Sequence, residues 1–283
     1  MRLARNLIFW ILNLFFYFKR IQNSISKKKI YSNIRVLIYH DFKSDYEIKH
    51  FKNQILSLKK EYEFISPDEF EEYLNNKPIK GEKILITFDD GFKSNRIVAE
   101  KVLNKLNIKA LFFIISDFVG AKKNTSRYNS IMRNIYPNRI EKFKGDDAMN
   151  KNDIEFLLST GHKIGCHTLS HQMLSKVSSI ENLNDELIAS KRNLQKEFGI
   201  EIKHFAFPFG TFESINEKAL KILDKNFDYI HSGLRGNNLT NKKLINREAV
   251  NPKMSVSRIK SFLIGNFDFL YVKKIKKLNQ FLN

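Results

Sequence analysis

The run Ile84-Leu85-Ile86-Thr87-Phe88-Asp89-Asp90-Gly91 constrains this chain more than any other stretch. Its first five residues are apolar or β-branched, the pattern of a strand buried on both faces. It stops at once on two carboxylates and a glycine. Adjacent strand residues point to opposite faces, and Gly91 lets the backbone turn there. Two carboxylates where a buried strand emerges are costly to desolvate unless a cation, a proton or hydrogen bonds compensate. The stretch is therefore either a solvated Asp-Asp-Gly turn or a metal site with a neighbouring general base. Ligands elsewhere in the chain decide between the two.

The surrounding pattern alternates strands with helices from Arg35 onward. Val36–Tyr39 reads as a strand ending at His40-Asp41, and Phe51, Ile55, Leu58 and Tyr62 follow at helical spacing. Ser66-Pro67-Asp68-Glu69 is a helix start, with a capping serine, proline at the first helical position and Glu69 completing a capping box. After the Asp89-Asp90 strand, Val98, Val102 and Leu106 mark a helix, and Ala110–Ile115 a buried strand. A Lys-, Asn- and Arg-rich insertion at 119–150, holding Tyr128, Tyr136 and Pro137, breaks the rhythm, and a connection of that length is usually functional or disordered. A helix near 151–160, the strand Lys163–Cys166, a long amphipathic helix from Ile180 to Phe198 and the strand His204–Phe207 restore it. Later strands are expected at Phe227–Ile230 and Leu244–Ile245, and the tail after 255 reads as helical and basic.

Repeated βα units imply parallel strands with right-handed crossovers. The chain has neither a Gly-x-Gly-x-x-Gly fingerprint nor a phosphate loop, which favours a barrel over a nucleotide-binding open sheet. In a parallel barrel the C-terminal strand ends share one face, where active sites sit. His40, Asp89-Asp90, His167 and Pro208-Phe209 all fall just past such ends. His167-Thr-Leu-Ser-His171 sets two imidazoles four residues apart, and on a helical turn they would project side by side. With an aspartate from another strand end, they make two histidines and one carboxylate, the three-ligand set of a catalytic zinc site with an open position. One carboxylate then ligates while the other accepts a proton from water.

The motifs resemble those of carbohydrate esterase family 4, the polysaccharide deacetylase or NodB-homology proteins. Residues 87–91 match Thr-Phe-Asp-Asp-Gly letter for letter, residues 167–171 match His-Ser/Thr-x-x-His, and Pro208-Phe209-Gly210 matches Pro-Tyr/Phe-Gly. The resemblance covers roughly residues 34–250. It implies an α/β fold, a distorted (β/α) barrel of about seven parallel strands, and metal-dependent removal of N-acetyl groups from sugars. Carried onto matching positions, Asp89 is the catalytic base, and Asp90, His167 and His171 are the metal ligands. The resemblance also makes the Phe209 backbone N–H a donor to the oxyanion. The expected cofactor is one divalent ion, zinc first, with cobalt, nickel or manganese as alternatives.

Three departures stand out. Where the third motif often begins with an arginine that orients the base, this chain has Ala206, and Arg247 is the candidate replacement. The family's Trp-containing fourth motif is absent, since the one tryptophan is Trp10. The late Leu-x-His motif that supplies a general acid is not recognisable, and His231 is the stand-in. His40 resembles the Tyr-His pair that begins many members with an N-terminal membrane segment.

Composition bounds the rest. With 283 residues, 42% of them hydrophobic, and 25 phenylalanines, the chain can bury a large core. A single cysteine, Cys166, excludes an intrachain disulfide framework. The net charge of +19 comes from lysine spread through the whole sequence, without nucleic-acid-binding motifs, so nucleic acid is not an expected partner. Residues 1–20 hold a dozen apolar residues broken by Asn13, short of the ~20 that a bilayer span needs. Lys19-Arg20 follow directly, which disfavours a cleaved signal peptide. Residues 1–32 are therefore expected to be a membrane-associating apolar helix with a basic linker, and 33–283 the catalytic domain. Membrane contact would run through residues 1–29, with a charge bias toward the cytoplasmic face.

The expected substrate is an N-acetylhexosamine of a cell-envelope or lipid-linked glycan. The alternatives are an O-acetyl ester or cyclic amide cleaved on the same metal site, and a metal-free glycan-binding barrel. The insertion at 119–150 is expected to rim the barrel mouth.

Overall fold

A computed structural model describes residues 33–75, 78–137, 147–239 and 243–282. The expected apolar helix and linker at 1–32 lie outside the described residues, as do 138–146 of the insertion. Among the described residues no helix is long and apolar enough to cross a membrane.

The strands are β1 (Asn33–Tyr39), β2 (Glu63–Phe64), β3 (Glu82–Phe88), β4 (Leu111–Ile114), β5 (Lys163–Cys166), β6 (His204–Ala206), β7 (Tyr229–His231), β8 (Leu244–Ile245) and β9 (Glu248–Ala249). Every ladder among them is parallel, in the order β8-β7-β6-β5-β4-β3-β1-β9, with β2 also paired to β3. The α/β barrel expectation holds. The path has eight strands, close to the about seven that the resemblance implied, and β9 is the short strand that the sequence reading did not name.

The two ends of this order, β8 and β9, are separated in sequence only by Asn246 and Arg247. A sheet whose edges are two residues apart must curl almost to closure. The loop after β7 fills the seam. Asn238 donates from both its backbone and its side chain to the Ile34 carbonyl, and its side chain also donates to the Asn246 carbonyl. Arg247 N–H donates to Leu234 O at 3.0 Å.

Period-two alternation sorts the strand residues into two cores. Leu37, Tyr39, Ile84, Ile86, Phe88, Phe112 and Ile114 pack outward against the helices in the main cluster. Ile34, Val36, Leu85, Tyr229 and Ile245 form a separate cluster inside the curl with Phe70 and Leu74. Those two come from the helix Pro67–Leu74, which therefore plugs one end of the barrel. Its expected capping box is present: Glu69 N–H donates to Ser66 Oγ at 3.1 Å, and Ser66 N–H to Glu69 Oε2 at 2.8 Å. Such a cap stabilises by about 1 kcal/mol.

The expected helix from Ile180 to Phe198 is continuous but passes through a π-turn at Asp185–Ala189 and ends at Gly199, whose φ of 63° closes it. The insertion is ordered through the helix Ser126–Ile135, which buries Tyr128, Ile131 and Met132 against Phe92 and Phe118.

A candidate metal centre at the barrel mouth

Continuing the inward-facing register of each strand past its end delivers the candidate residues to one cleft. Asp89 follows Leu85 and Thr87 on β3, His167 follows Gly165 on β5, and Arg247 follows Ile245 on β8. The cleft, about 410 Å³, is lined by His40, Asp41, Asp89, Asp90, Ile135, Tyr136, His167, His171, Phe209, Gly210 and Arg247, with Val250–Pro252 as one wall.

At the end of β3, Asp89 N–H still donates to Tyr39 O at 3.0 Å. The next two residues leave the strand through positive φ, 78° at Asp90 and 89° at Gly91. Aspartate is one of the few side-chain-bearing residues that tolerate this region, and strain of this kind concentrates at functional sites. The turn brings both carboxylates to the cleft, although simple alternation would part them.

The 167–171 segment is not the helical turn that its spacing suggested. It is a loop, with φ of 67° at Thr168 and 64° at His171. Thr168 Oγ1 accepts from His171 N–H at 2.9 Å, and Glu186 accepts from Ser170 N–H and Oγ at 3.0 and 2.6 Å. Asn134 Nδ2 holds the Ser170 carbonyl from the insertion side at 2.7 Å. These braces, Glu186 above all, left no signal in the sequence because they act through loop backbone.

Asp90 Oδ1 lies 3.4 Å from both His167 Nε2 and His171 Nε2. The three side chains are all buried and could hold one metal ion. His167 Nδ1–H donates to the Ala206 carbonyl at 2.7 Å, which turns Nε2 toward Asp90. Burial pushes the His171 imidazole down to about 4, so its ring is neutral near pH 7 and offers a lone pair. Burial likewise opposes the Asp90 charge, but the His167 and His171 rings hold its carboxyl well below the usual range. Burial disfavours the His167 cation, but Asp90 and Asp89 outweigh it and raise its imidazole, so the site draws positive charge to Asp90 while His171 offers a lone pair, and the donor set fits a divalent metal.

Asp89 is held differently. Arg247 grips it with a fork, Nη1 to Oδ1 at 2.8 Å and Nη2 to Oδ2 at 2.9 Å, while Nη1 also reaches Thr87 Oγ1 and Nε donates to Ser232 O at 2.8 Å. Both partners are nearly inaccessible to solvent. Burial raises the Asp89 carboxyl, but Arg247 and then His167 overcome it and keep the group below its ordinary range. Arg247, the candidate replacement for the arginine missing at position 206, thus reaches Asp89 from the far side of the barrel seam. Ala206 contributes its carbonyl instead.

The remaining candidates divide. Phe209 and Gly210 sit in the cleft with φ of 63° and 62°, and the Phe209 ring packs on His171 at 5.0 Å. Pro208 is buried behind them. Gly210 O accepts from Gly233 N–H at 2.7 Å, an approach that leaves no room for a side chain. His40 is exposed at the cleft wall. His231 is not in the lining. It is fully buried, its Nε2 2.9 Å from His204 Nδ1, and His204 in turn meets Glu71 from the plugging helix at 3.2 Å. The structure does not bring His231 to the cleft. The insertion does reach it, through Ile135 and Tyr136, whose hydroxyl donates to Asp41 Oδ2 at 3.3 Å.

Comparisons with known proteins agree with this geometry. A sequence model described as polysaccharide deacetylase matches residues 76–227. The YxkH protein of Bacillus subtilis (strain 168) is 24% identical over 200 residues, covering 69% of this chain and 62% of its own length. The peptidoglycan-N-acetylglucosamine deacetylase of Bacillus cereus is 27% identical over 141 residues, covering 49% of this chain and 40% of its own. The chain therefore spans less than two thirds of either relative. The structure of IcaB from Ammonifex degensii superposes with a TM-score of 0.66 at 23% identity, over 83% of this chain and 98% of that one, and shows a shared fold. The matched region exceeds half of the chain and carries the Thr87–Gly91 and His167–His171 motifs, and the chain belongs to the polysaccharide deacetylase family.

Proposed function

We propose that this protein is a metal-dependent hydrolase that removes N-acetyl groups from N-acetylhexosamine units of a cell-envelope or lipid-linked glycan. The observation that carries the reading is the pairing of a three-donor set, Asp90, His167 and His171, with a separately charged carboxylate, Asp89, in one cleft. The N-acetylglucosamine deacetylase among its relatives supports the sugar class.

A divalent cation, zinc first among the candidates, would supply Lewis acidity toward water and the acyl oxygen. The chain's own residues do the rest. Asp89, kept ionised by Arg247, stands ready to take a proton from water. The guanidinium fork fixes the carboxylate's orientation, so little reorganisation is needed at the moment of transfer. The Phe209 backbone N–H is the donor assigned to charge developing on the acyl oxygen. Buried walls exclude bulk water and strengthen each of these interactions.

Residues 1–29 are proposed to hold the protein at a membrane surface. This part of the reading rests on sequence alone, as does the charge bias toward the cytoplasmic face. Recovery of the intact full-length chain wholly in the soluble fraction of lysed cells would refute it.

Acetate release from N-acetylglucosamine oligomers, abolished by a chelator and restored by zinc, is the expected result for the catalytic reading. Release from acetylated xylan in place of the oligomers would redirect it to ester hydrolysis. Chelator-insensitive release would remove the metal.

A further inference from the structure

The C-terminal segment carries an exposed apolar patch that the proposed catalytic site does not use. Phe269, Leu270 and Val272 are 58%, 57% and 57% exposed, and they follow one another through a 3-10 turn into the helix Val272–Asn279. That helix buries Leu278 and packs Ile275 on the core, with Tyr271 just before it, which leaves Lys273 and Lys276 in solvent beside the patch and the exposed Lys277 with its ammonium 5.3 Å over the Phe212 ring. Residues 269–283 contain no aspartate or glutamate. Asp268 and Glu213, the acids in contact with the segment, are ion-paired to Arg35 and Lys274.

The patch also sits where the N-terminal segment joins the domain. Asn33, the first residue of β1, donates from its side chain to Leu263 O at 3.1 Å, and Arg35 holds Asp268, next to Phe269, at 2.7 Å. Three occupants are conceivable, and charge separates them. The N-terminal segment has Arg2, Arg5, Lys19, Arg20 and Lys27–Lys29 and no acid. Like a second copy of the patch, it would bring cations against cations. An anionic surface alone satisfies both the lysines and the apolar side chains.

We propose that Phe269, Leu270 and Val272 insert at the surface of an anionic lipid bilayer, with Lys273, Lys276 and Lys277 against its headgroups. Exposed apolar side chains at the start of a short helix, followed by lysines on its solvent side, have the composition of an interfacial anchor. Together with residues 1–29 it would make a two-point attachment that fixes how the barrel stands on the membrane. The inference is independent of the catalytic reading.

The test uses the full chain with Trp10→Phe and Phe269→Trp, so that the single indole reports from the patch. Vesicles of phosphatidylcholine and phosphatidylglycerol in equal parts, with bromine on the acyl chains, are the probe. The expected result is blue-shifted emission with bromine quenching, absent on phosphatidylcholine alone. Adding Lys273→Glu, Lys276→Glu and Lys277→Glu should remove the quenching and weaken partitioning on the order of 10²-fold. Unquenched emission from protein that co-sediments with the vesicles overturns the proposal. Emission already blue without lipid also overturns it, pointing to the N-terminal segment if dilution leaves it unchanged and to a second copy if dilution reverses it.

Discussion

Replacing Arg247 by methionine, similar in length but uncharged, should reverse the sign of the Asp89 contribution to the protein's response to acid. Arg247 makes two bonds to Asp89, of 2.8 and 2.9 Å, in a place where both side chains are almost completely buried. Burial raises the Asp89 carboxyl, and Arg247 is the largest of the interactions that bring it below its ordinary range. In the native protein the group therefore stabilises the fold above the unfolded value of about 3.9, and that contribution is lost as pH falls through the lower folded value. Without the guanidinium, desolvation prevails and the folded value rises above the unfolded one. The contribution of Asp89 should then become more favourable as pH falls, so the stability deficit of the variant against the native protein narrows toward acid, because the neutral acid is the form that the buried site accepts. Removing one partner of a buried ion pair costs about 3–5 kcal/mol. At about 1.4 kcal/mol per unit, that corresponds to a rise of roughly two to four pKa units. Urea unfolding of both proteins from about pH 8 to about pH 4, in the presence of a chelator so that no cation substitutes for Arg247, measures it. Parallel stability curves, or a difference under about 0.5 kcal/mol at neutral pH, would refute the reasoning. Arg247→Lys should keep the native sign yet lower activity, because one ammonium cannot reproduce the fork.

Asp89→Asn should retain bound metal and lose about 10²–10⁴-fold in turnover, checked by metal analysis beside acetate release; near-native turnover would place the base elsewhere. His167→Ala should lose metal and activity together, since two ligands remain, and full metal occupancy in that variant would break the ligand assignment. Gly210→Ala should destabilise by about 1–3 kcal/mol, read as a lower urea midpoint. A Cβ there would lie 2.5 Å from Gly233 N, on a residue whose φ is 62°; an unchanged midpoint would mean that this approach is slack.

The parts of the fold that were legible in the sequence are those written in local pattern. The strand ending at Asp89, the capping box at Ser66 and the helix closing on Gly199 all follow from periodicity or cap chemistry within a few residues. The metal-site candidates were legible because two short motifs carry them. Turn geometry was not. The His167–His171 spacing suggests a helix, but two left-handed residues and a Thr168 side-chain bond build a loop that converges the rings in another way. The Arg247–Asp89 pair spans 158 positions, and only the near-closure of the sheet brings the two together. His231 shows the opposite failure: its place just after a strand suggested the cleft, while its partner, His204, holds it in the barrel interior. No local pattern distinguishes those two outcomes.

The two-residue join between β8 and β9 also sets a timetable. Chains fold from the N-terminus as they are synthesised. A nascent polypeptide that has emerged only through β7 already carries Asp89, Asp90, His167 and His171. It lacks the last strand to pair with β1 and the arginine that neutralises Asp89. Until residues 246–249 arrive, the inner face holds a carboxylate without its arginine, and that favours an open, hydrated sheet over a closed one. Completion of the ion pair and closure of the barrel are then one event, and the finished site is a record that the fold was finished first.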